Sequence, residues 1–237
     1  MTRLLSAAAT AVALCFAALS FAVPAAAEKP IWGIQVEQLE YRIGDETDVA
    51  AWDFDALYGS DELKLVFRSE AEYAVQARGF ETLENQIRLQ TPISDFFDAV
   101  VGFRADTPRG PNRYSAVIGL HGLAQQWFEI DADLFLSDKP SIRLEAEYEG
   151  LITNRITLVP SIEVNLPLVD DHEIGVGAFG AKVEVGLRLS YDLVDRLISP
   201  YVGVHYERSF GETANLARRE GEDAGAFFVV IGTRILF

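Results

Sequence analysis

Three histidines are the only imidazoles in the chain: His121, His172 and His205. His205 is followed two residues on by Glu207, and His172 directly follows Asp170 and Asp171. Imidazole nitrogen combined with carboxylate oxygen suits Cu(II), Zn(II) or Ni(II). No H-x-x-x-H or comparable ligand spacing accompanies them, so they are metal candidates rather than a motif. The plain alternative for His172, Asp170 and Asp171 is a solvated acidic loop. For His205 with Glu207, and for His121, it is a hydrogen-bonded residue on the polar face of a strand.

A sharper feature is a double ladder of carboxylates. Glu129, Asp131 and Asp133 occupy alternate positions, and so do Glu145, Glu147 and Glu149. Alternate residues of a strand share one face, and adjacent strands lie about 5 Å apart. Two such ladders side by side repel unless compensated. Either Arg88, Arg104, Arg143, Arg155, Lys182, Arg188 and Arg234 form an ion-pair network with them, or the field stays partly open and attracts cations. No Ser-His-Asp arrangement or Gly-rich phosphate loop is readable, and the chain is read as not an enzyme.

The element that must position these groups is a strand repeated about twelve times. From Glu62 onward the pattern has period two. Leu65 and Phe67 oppose Arg68, Glu70 and Glu72; Ile118 and Leu120 oppose His121; Val202, Val204 and Tyr206 oppose His205 and Glu207. Trp32–Ile43 alternates with a slip near Glu37-Gln38. The chain ends on Phe227–Phe237, apolar and alternating, with an aromatic last residue. Segments of about ten to fourteen residues exceed the usual soluble strand and match a tilted membrane span. The expectation is a transmembrane antiparallel up-and-down β-barrel of about 12 strands (10–14) in the outer membrane, contacting lipid; the competing reading is a soluble periplasmic β-protein. In a barrel of this size the lumen has limited room, which favours the ion-pair network over an open channel. If both termini are periplasmic, the longer connectors Thr107–Arg113, Pro167–Gly175 and Gly211–Ala224 lie outside. Trp127, Tyr148, Tyr191 and Tyr201 sit near strand ends, as interfacial girdle residues do.

Met1-Thr2-Arg3, the apolar run Leu4–Val23 and the Ala25-x-Ala27 site read as a secretory signal peptide over residues 1–27, cleaved to leave a barrel over 28–237. Cleavage removes Cys15 and Met1, which excludes disulfides and thioether metal sites from the mature chain. It also leaves 19 of the 20 basic residues against 36 acidic ones. Such a balance repels nucleic acid and favours cations.

Several strings resemble signatures of the copper-resistance protein B family. They are Gly122-Leu123-Ala124-Gln125-Gln126-Trp127-Phe128-Glu129-Ile130-Asp131-Ala132, Thr153-Asn154-Arg155, Gly186-Leu187-Arg188-Leu189-Ser190-Tyr191, and Pro200-Tyr201-Val202-Gly203-Val204 continuing through Glu207-Arg208 and Phe210-Gly211-Glu212-Thr213-Ala214 to Gly221-Glu222-Asp223. The resemblance covers about Glu40 to Phe237. It implies an outer-membrane barrel tied to copper tolerance, with periplasmic copper-resistance proteins as candidate partners. Typical members carry a Met- and His-rich segment before the barrel, absent here, and commonly Pro-Tyr where this chain has Gln125-Gln126. Copper would therefore meet O/N ligands of Cu(II) type. The alternative function is a passive or structural outer-membrane channel without a metal role.

Overall fold

The structure, a computed structural model, describes residues 30–45, 47–108, 110–194 and 196–237. The signal peptide assigned to residues 1–27 lies outside the described residues. Twelve strands run up and down: β1 (Ile31–Gly44), β2 (Val49–Gly59), β3 (Lys64–Ala74), β4 (Gly79–Pro92), β5 (Phe97–Asp106), β6 (Arg113–Ala124), β7 (Phe128–Leu136), β8 (Ser141–Tyr148), β9 (Ile156–Pro167), β10 (Lys182–Tyr191), β11 (Ile198–Ser209) and β12 (Gly225–Leu236). A two-residue continuation of β8, Gly150–Leu151, pairs with Thr157 and Leu158. Each strand pairs antiparallel with its neighbours, and β12 pairs with β1 from Gln35↔Leu236 to Gly44↔Phe228. The sheet is thus a closed barrel. At the seam Phe237 donates its N–H to the Ile34 carbonyl at 2.8 Å and accepts from Ile34 at 3.1 Å.

The pleat sorts the residues as the alternation requires. Ile87, Val101, Phe103, Ile118, Val202 and Ile231 are each more than half exposed on the outside. Glu84, Gln86, Arg88, Asp133, Arg143 and Arg188 are buried inside. An apolar exterior around a charged interior inverts a soluble fold. It is stable where lipid covers the outside and every backbone group is paired around the closed sheet. The barrel is an outer-membrane protein.

The slip in β1 is a register shift between Val36 and Leu39 against β12, and between Val36 and Gln38 against β2. One extra residue lets Glu37 and Gln38 both join the polar face. Gln38 accepts from Arg188 at 3.0 Å, and Glu37 borders a luminal void together with Glu129 and Glu147. Trp127 and Tyr191 are exposed, as expected of a girdle, but Tyr201 is not. It alternates with outward Val202 and so points inward, where its hydroxyl donates to Glu40 at 2.8 Å.

The connectors 168–181 and 210–224 are the longest, and both lie at the end opposite the termini. The second is not a plain loop: Gly211–Glu220 forms a helix, α1, with Glu212 in its first turn, Arg218 and Arg219 in its last, and Gly221 as a left-handed C-cap. These residues complement the helix dipole and close its C-terminus. Thr213 docks α1 on the neighbouring loop, accepting from the Gly177 N–H at 3.1 Å and donating to the Gly180 carbonyl at 2.7 Å.

Inside, Gly119 stands directly across from Asp133, and a Cβ on it would overlap that carboxylate. The glycine gives Asp133 the space from which it reaches Arg88 at 3.0 Å. Gly119→Val is expected to destabilise the barrel by about 1–3 kcal/mol through overpacking. A lowered urea midpoint of the heat-modifiable gel band tests this; an unchanged midpoint would mean that Asp133 has an equally good second position.

Candidate functional site

The lumen is held together by arginines that cross it. Arg88 on β4 reaches Asp131 at 3.2 Å and Asp133 at 3.0 Å on β7. Arg143 on β8 reaches Glu84 at 2.8 Å and Glu70 at 3.0 Å on β4 and β3. Arg188 on β10 reaches Glu40 at 3.0 Å on β1, and Arg234 on β12 reaches Glu147 on β8 and Glu149 just past its end, both at 2.9 Å. Arg68 on β3 pairs with Asp55 at 2.9 Å and lies 3.7 Å from Asp131 across the barrel. Arg42 holds Glu40 and Glu72. Guanidinium suits this task because its fork satisfies two oxygens at once and keeps its charge.

The network divides the lumen unequally. Toward the outer end is a cavity of about 1060 Å³, bordered by the loop at Asp171 and by α1 at Ala217 and Glu220. Carboxylates outnumber basic side chains on its wall. Deeper, a second void of about 10 Å³ is bordered by Glu37, Asp53, Glu129, Asp131, Glu145, Glu147 and one basic side chain, Arg68. That is room for about one water molecule.

The register reveals a continuous line of acids. Glu207 faces Glu184, Glu184 faces Glu163, Glu163 faces Glu145, Glu145 faces Asp131, and Asp131 faces His121. Each step crosses one strand spacing, about 4.8 Å. Because successive strands are staggered, the line descends from the outer part of β11 toward the inner part of β6. A second line, Asp53–Glu70–Glu84–Asp106, crosses β2 to β5.

The first line joins two histidine clusters. At its inner end the His121 Nδ1 lies 3.0 Å from Asp131, with Nε2 4.0 Å from Glu129. At its outer end the His205 Nε2 lies 3.3 Å from Glu184. Among the described residues, His121–Glu129–Asp131 and Glu184–His205–Glu207 are the groups of three or more whose ligand atoms lie within 4.8 Å of one another. Of the residues singled out by sequence, His121, Glu129 and Asp131 are brought together, and so are His205 and Glu207. Asp133 is held by Arg88, Glu147 and Glu149 by Arg234, and Glu145 borders the small void. His172, Asp170 and Asp171 do not converge. Arg113 takes Asp171 with bonds of 2.6 and 2.7 Å, and Asp170 accepts from the Ala178 N–H at 2.7 Å.

Glu184, Glu163, Glu70, Asp53 and Glu37 join the acidic lumen without having been singled out as ligands. Glu184 had a usable signal: it alternates on the polar face of β10, and the hairpin to β11 sets it opposite Glu207. Glu37 had a signal as well: Trp32 and Ile34 face outward, so alternation from the start of β1 already puts Glu37 on the polar face, and the slip lets Gln38 join it.

The family described as copper resistance protein B precursor matches residues 30–237. Copper resistance protein B of Escherichia coli is 34% identical over 207 residues, covering 86% of this chain and 69% of that protein. A copper resistance protein B homolog of Pseudomonas syringae pv. tomato is 34% identical over 204 residues, covering 85% and 68%. Among solved structures, the NanC porin aligns over 86% of this chain and 99% of its own length, with a TM-score of 0.54 at 14% identity, a likeness of fold alone. Matched from Pro30 to its last residue, this charged, closed barrel belongs to the copper resistance protein B family.

Proposed function

We propose that the chain contributes to copper tolerance at the outer membrane by offering imidazole–carboxylate contacts to copper inside its lumen, either sequestering the ion or altering its passage. The observation that carries this reading is the unbroken line from Glu207 to His121, with a histidine cluster at each end. Three ligands of this chemistry suit Cu(II). Periplasmic copper-resistance proteins are the proposed recipients, since His121 and Glu129 lie toward the inner mouth. The role is non-enzymatic.

A second reading, a structural or passive barrel without a metal role, is favoured by the arginines that fill the middle of the lumen. Deletion and complementation separate the two. Loss of the chain should sensitise cells to copper, and wild type should restore growth. A His121→Gln, Glu163→Gln, His205→Gln variant, shown by heat-modifiable mobility to be assembled, should not. Copper tolerance that is unchanged on deletion would leave the passive barrel as the better account.

A further inference from the structure

We propose that the Glu184–His205–Glu207 cluster is a cation site kept filled by the protein's own Lys182 ammonium, and that a divalent transition-metal ion entering from the outer cavity binds there by displacing it. The inference deepens the copper reading above and rests on it for the identity of the ion.

Glu184 and Glu207 are a directly opposed cross-strand pair, which like charges disfavour. Lys182, two residues before Glu184 and on the same face, resolves the conflict. Its Nζ lies 3.0 Å from Glu184 and 2.7 Å from Glu207. The ammonium therefore already stands as a cation between two carboxylates that are also metal-ligand candidates.

Two features set this cluster apart from the rest of the lumen. The first is the counter-ion. The mid-lumen carboxylates are held by guanidinium groups, several in two-bonded forks, with side chains at most 17% exposed. Lys182 is a point charge on a flexible stem, 35% exposed on the wall of the 1060 Å³ cavity. An ammonium held by single bonds and free to swing into water is far easier to displace than a buried fork. The second is His205. It is only 4% exposed, and its Nδ1 has no hydrogen-bond partner among the described residues. Its Nε2 faces Glu184 at 3.3 Å and Arg42 at 3.5 Å. Either neutral tautomer leaves Nδ1 unsatisfied, a cost for a buried polar atom. A cation binds this buried ring at the Nε2 lone pair, with Glu184 and Glu207 completing an N/O set and Arg42 giving up its contact; Nδ1 points the other way and keeps its N–H.

The metal brings two positive charges where Lys182 brought one. Glu72, paired with Arg42, borders the same cavity and offers the displaced ammonium another carboxylate. No bond is made or broken beyond ion pairs and coordination.

The test uses the purified, untagged full chain in detergent, with CuCl2 as the probe at fixed pH. Lys182→Met removes the ammonium but keeps the stem; Lys182→Arg replaces it with a fork that holds both carboxylates more firmly. Lys182→Met should bind Cu(II) about tenfold more tightly or better, since two partly exposed ion pairs no longer compete. Lys182→Arg should bind more weakly than wild type. In a His121→Gln, His172→Gln background, His205 is the one remaining imidazole, and the Cu(II) EPR spectrum should show coupling to nitrogen that His205→Gln abolishes. If that background does not assemble, the Met and Arg variants in the otherwise wild-type chain carry the test through their dissociation constants. Equal affinities in wild type, Lys182→Met and Lys182→Arg overturn the proposal, as does nitrogen coupling that survives His205→Gln. These readouts need no cells. Tight binding in Lys182→Met alongside unchanged copper tolerance on deletion removes the tolerance reading and leaves the site standing; tolerance without the Lys182 effect does the reverse.

Discussion

Arg88→Met is expected to lower the stability of the folded barrel by about 3–5 kcal/mol, the usual cost of removing one partner from a buried ion pair. Arg88 is fully buried, and its two partners, Asp131 and Asp133, have side chains 8% and 1% exposed. Methionine fills much of the same volume but leaves two neighbouring carboxylates short of a cation. His121 and, at 3.7 Å, Arg68 remain near Asp131, but among the described residues Asp133 has only Arg88 as an ion-pair partner. The measurement is the urea midpoint of the heat-modifiable band for protein refolded in detergent. The triple variant Arg88→Met, Asp131→Asn, Asp133→Asn separates charge from packing. With the stranded charges neutralised it should recover most of the loss, because a buried ion pair exceeds its neutral replacement by little. An Arg88→Met midpoint equal to wild type would mean that water reaches this part of the lumen and screens the acids, and the filled-lumen description would fall.

How far the sequence anticipates this arrangement depends on the range of each interaction. The alternation of Leu65 and Phe67 with Arg68 and Glu70 is local, and it states inside and outside directly. Two consecutive polar residues, Glu37 and Gln38, break that alternation, and a strand that keeps its apolar side in lipid can absorb them only as a bulge. The facing ladders are also legible: once β7 and β8 are joined by a short turn, Glu129 meets Glu147 and Asp131 meets Glu145. The counter-ions are another matter. Arg188 finds Glu40 148 residues away, and Arg234 finds Glu147 87 residues away, across a lumen whose geometry only the closed sheet defines. Alternation puts all four side chains inside without saying which meet. Tyr201 shows the cost of reading aromatics by position alone, since its own pleat, opposite Val202, already sent it inward. Helix α1 lies in a segment read from sequence only as the outer connector Gly211–Ala224, and its docking through Thr213 on Gly177 and Gly180 is a contact between loops that no local pattern encodes.

The second large effect concerns conduction. The wild-type barrel should carry little current in a planar bilayer, because Arg68 spans from Asp55 toward Asp131 at the level where the lumen shrinks to a void of about 10 Å³. Removing that side chain with its partner, as Arg68→Ala, Asp55→Ala, deletes one charge of each sign and leaves neither stranded. Six carboxylates would then border the widened void, Glu37, Asp53, Glu129, Asp131, Glu145 and Glu147, with Arg88 and Arg234 still paired to Asp131 and Glu147 and the other four left in excess. A constriction walled by one sign of charge concentrates counter-ions by about tenfold or more. Single-channel conductance should therefore rise about tenfold or more over wild type, with a reversal potential in a salt gradient that reports cation selectivity. Arg68→Ala alone should conduct as well but assemble less stably, since Asp55 loses its partner. The charge-balanced pair is accordingly the variant that isolates steric blockage from folding. A wild type that conducts freely would show that the arginine network does not close the lumen. A silent double variant would move the barrier to Arg88 and Arg143, and anion selectivity would mean that the acids are neutralised by groups other than Arg68. Cation-selective current through the double variant would instead make Arg68 the residue that keeps an acidic pore shut, and would leave the line from Glu207 to His121 as the wall along which a cation could travel.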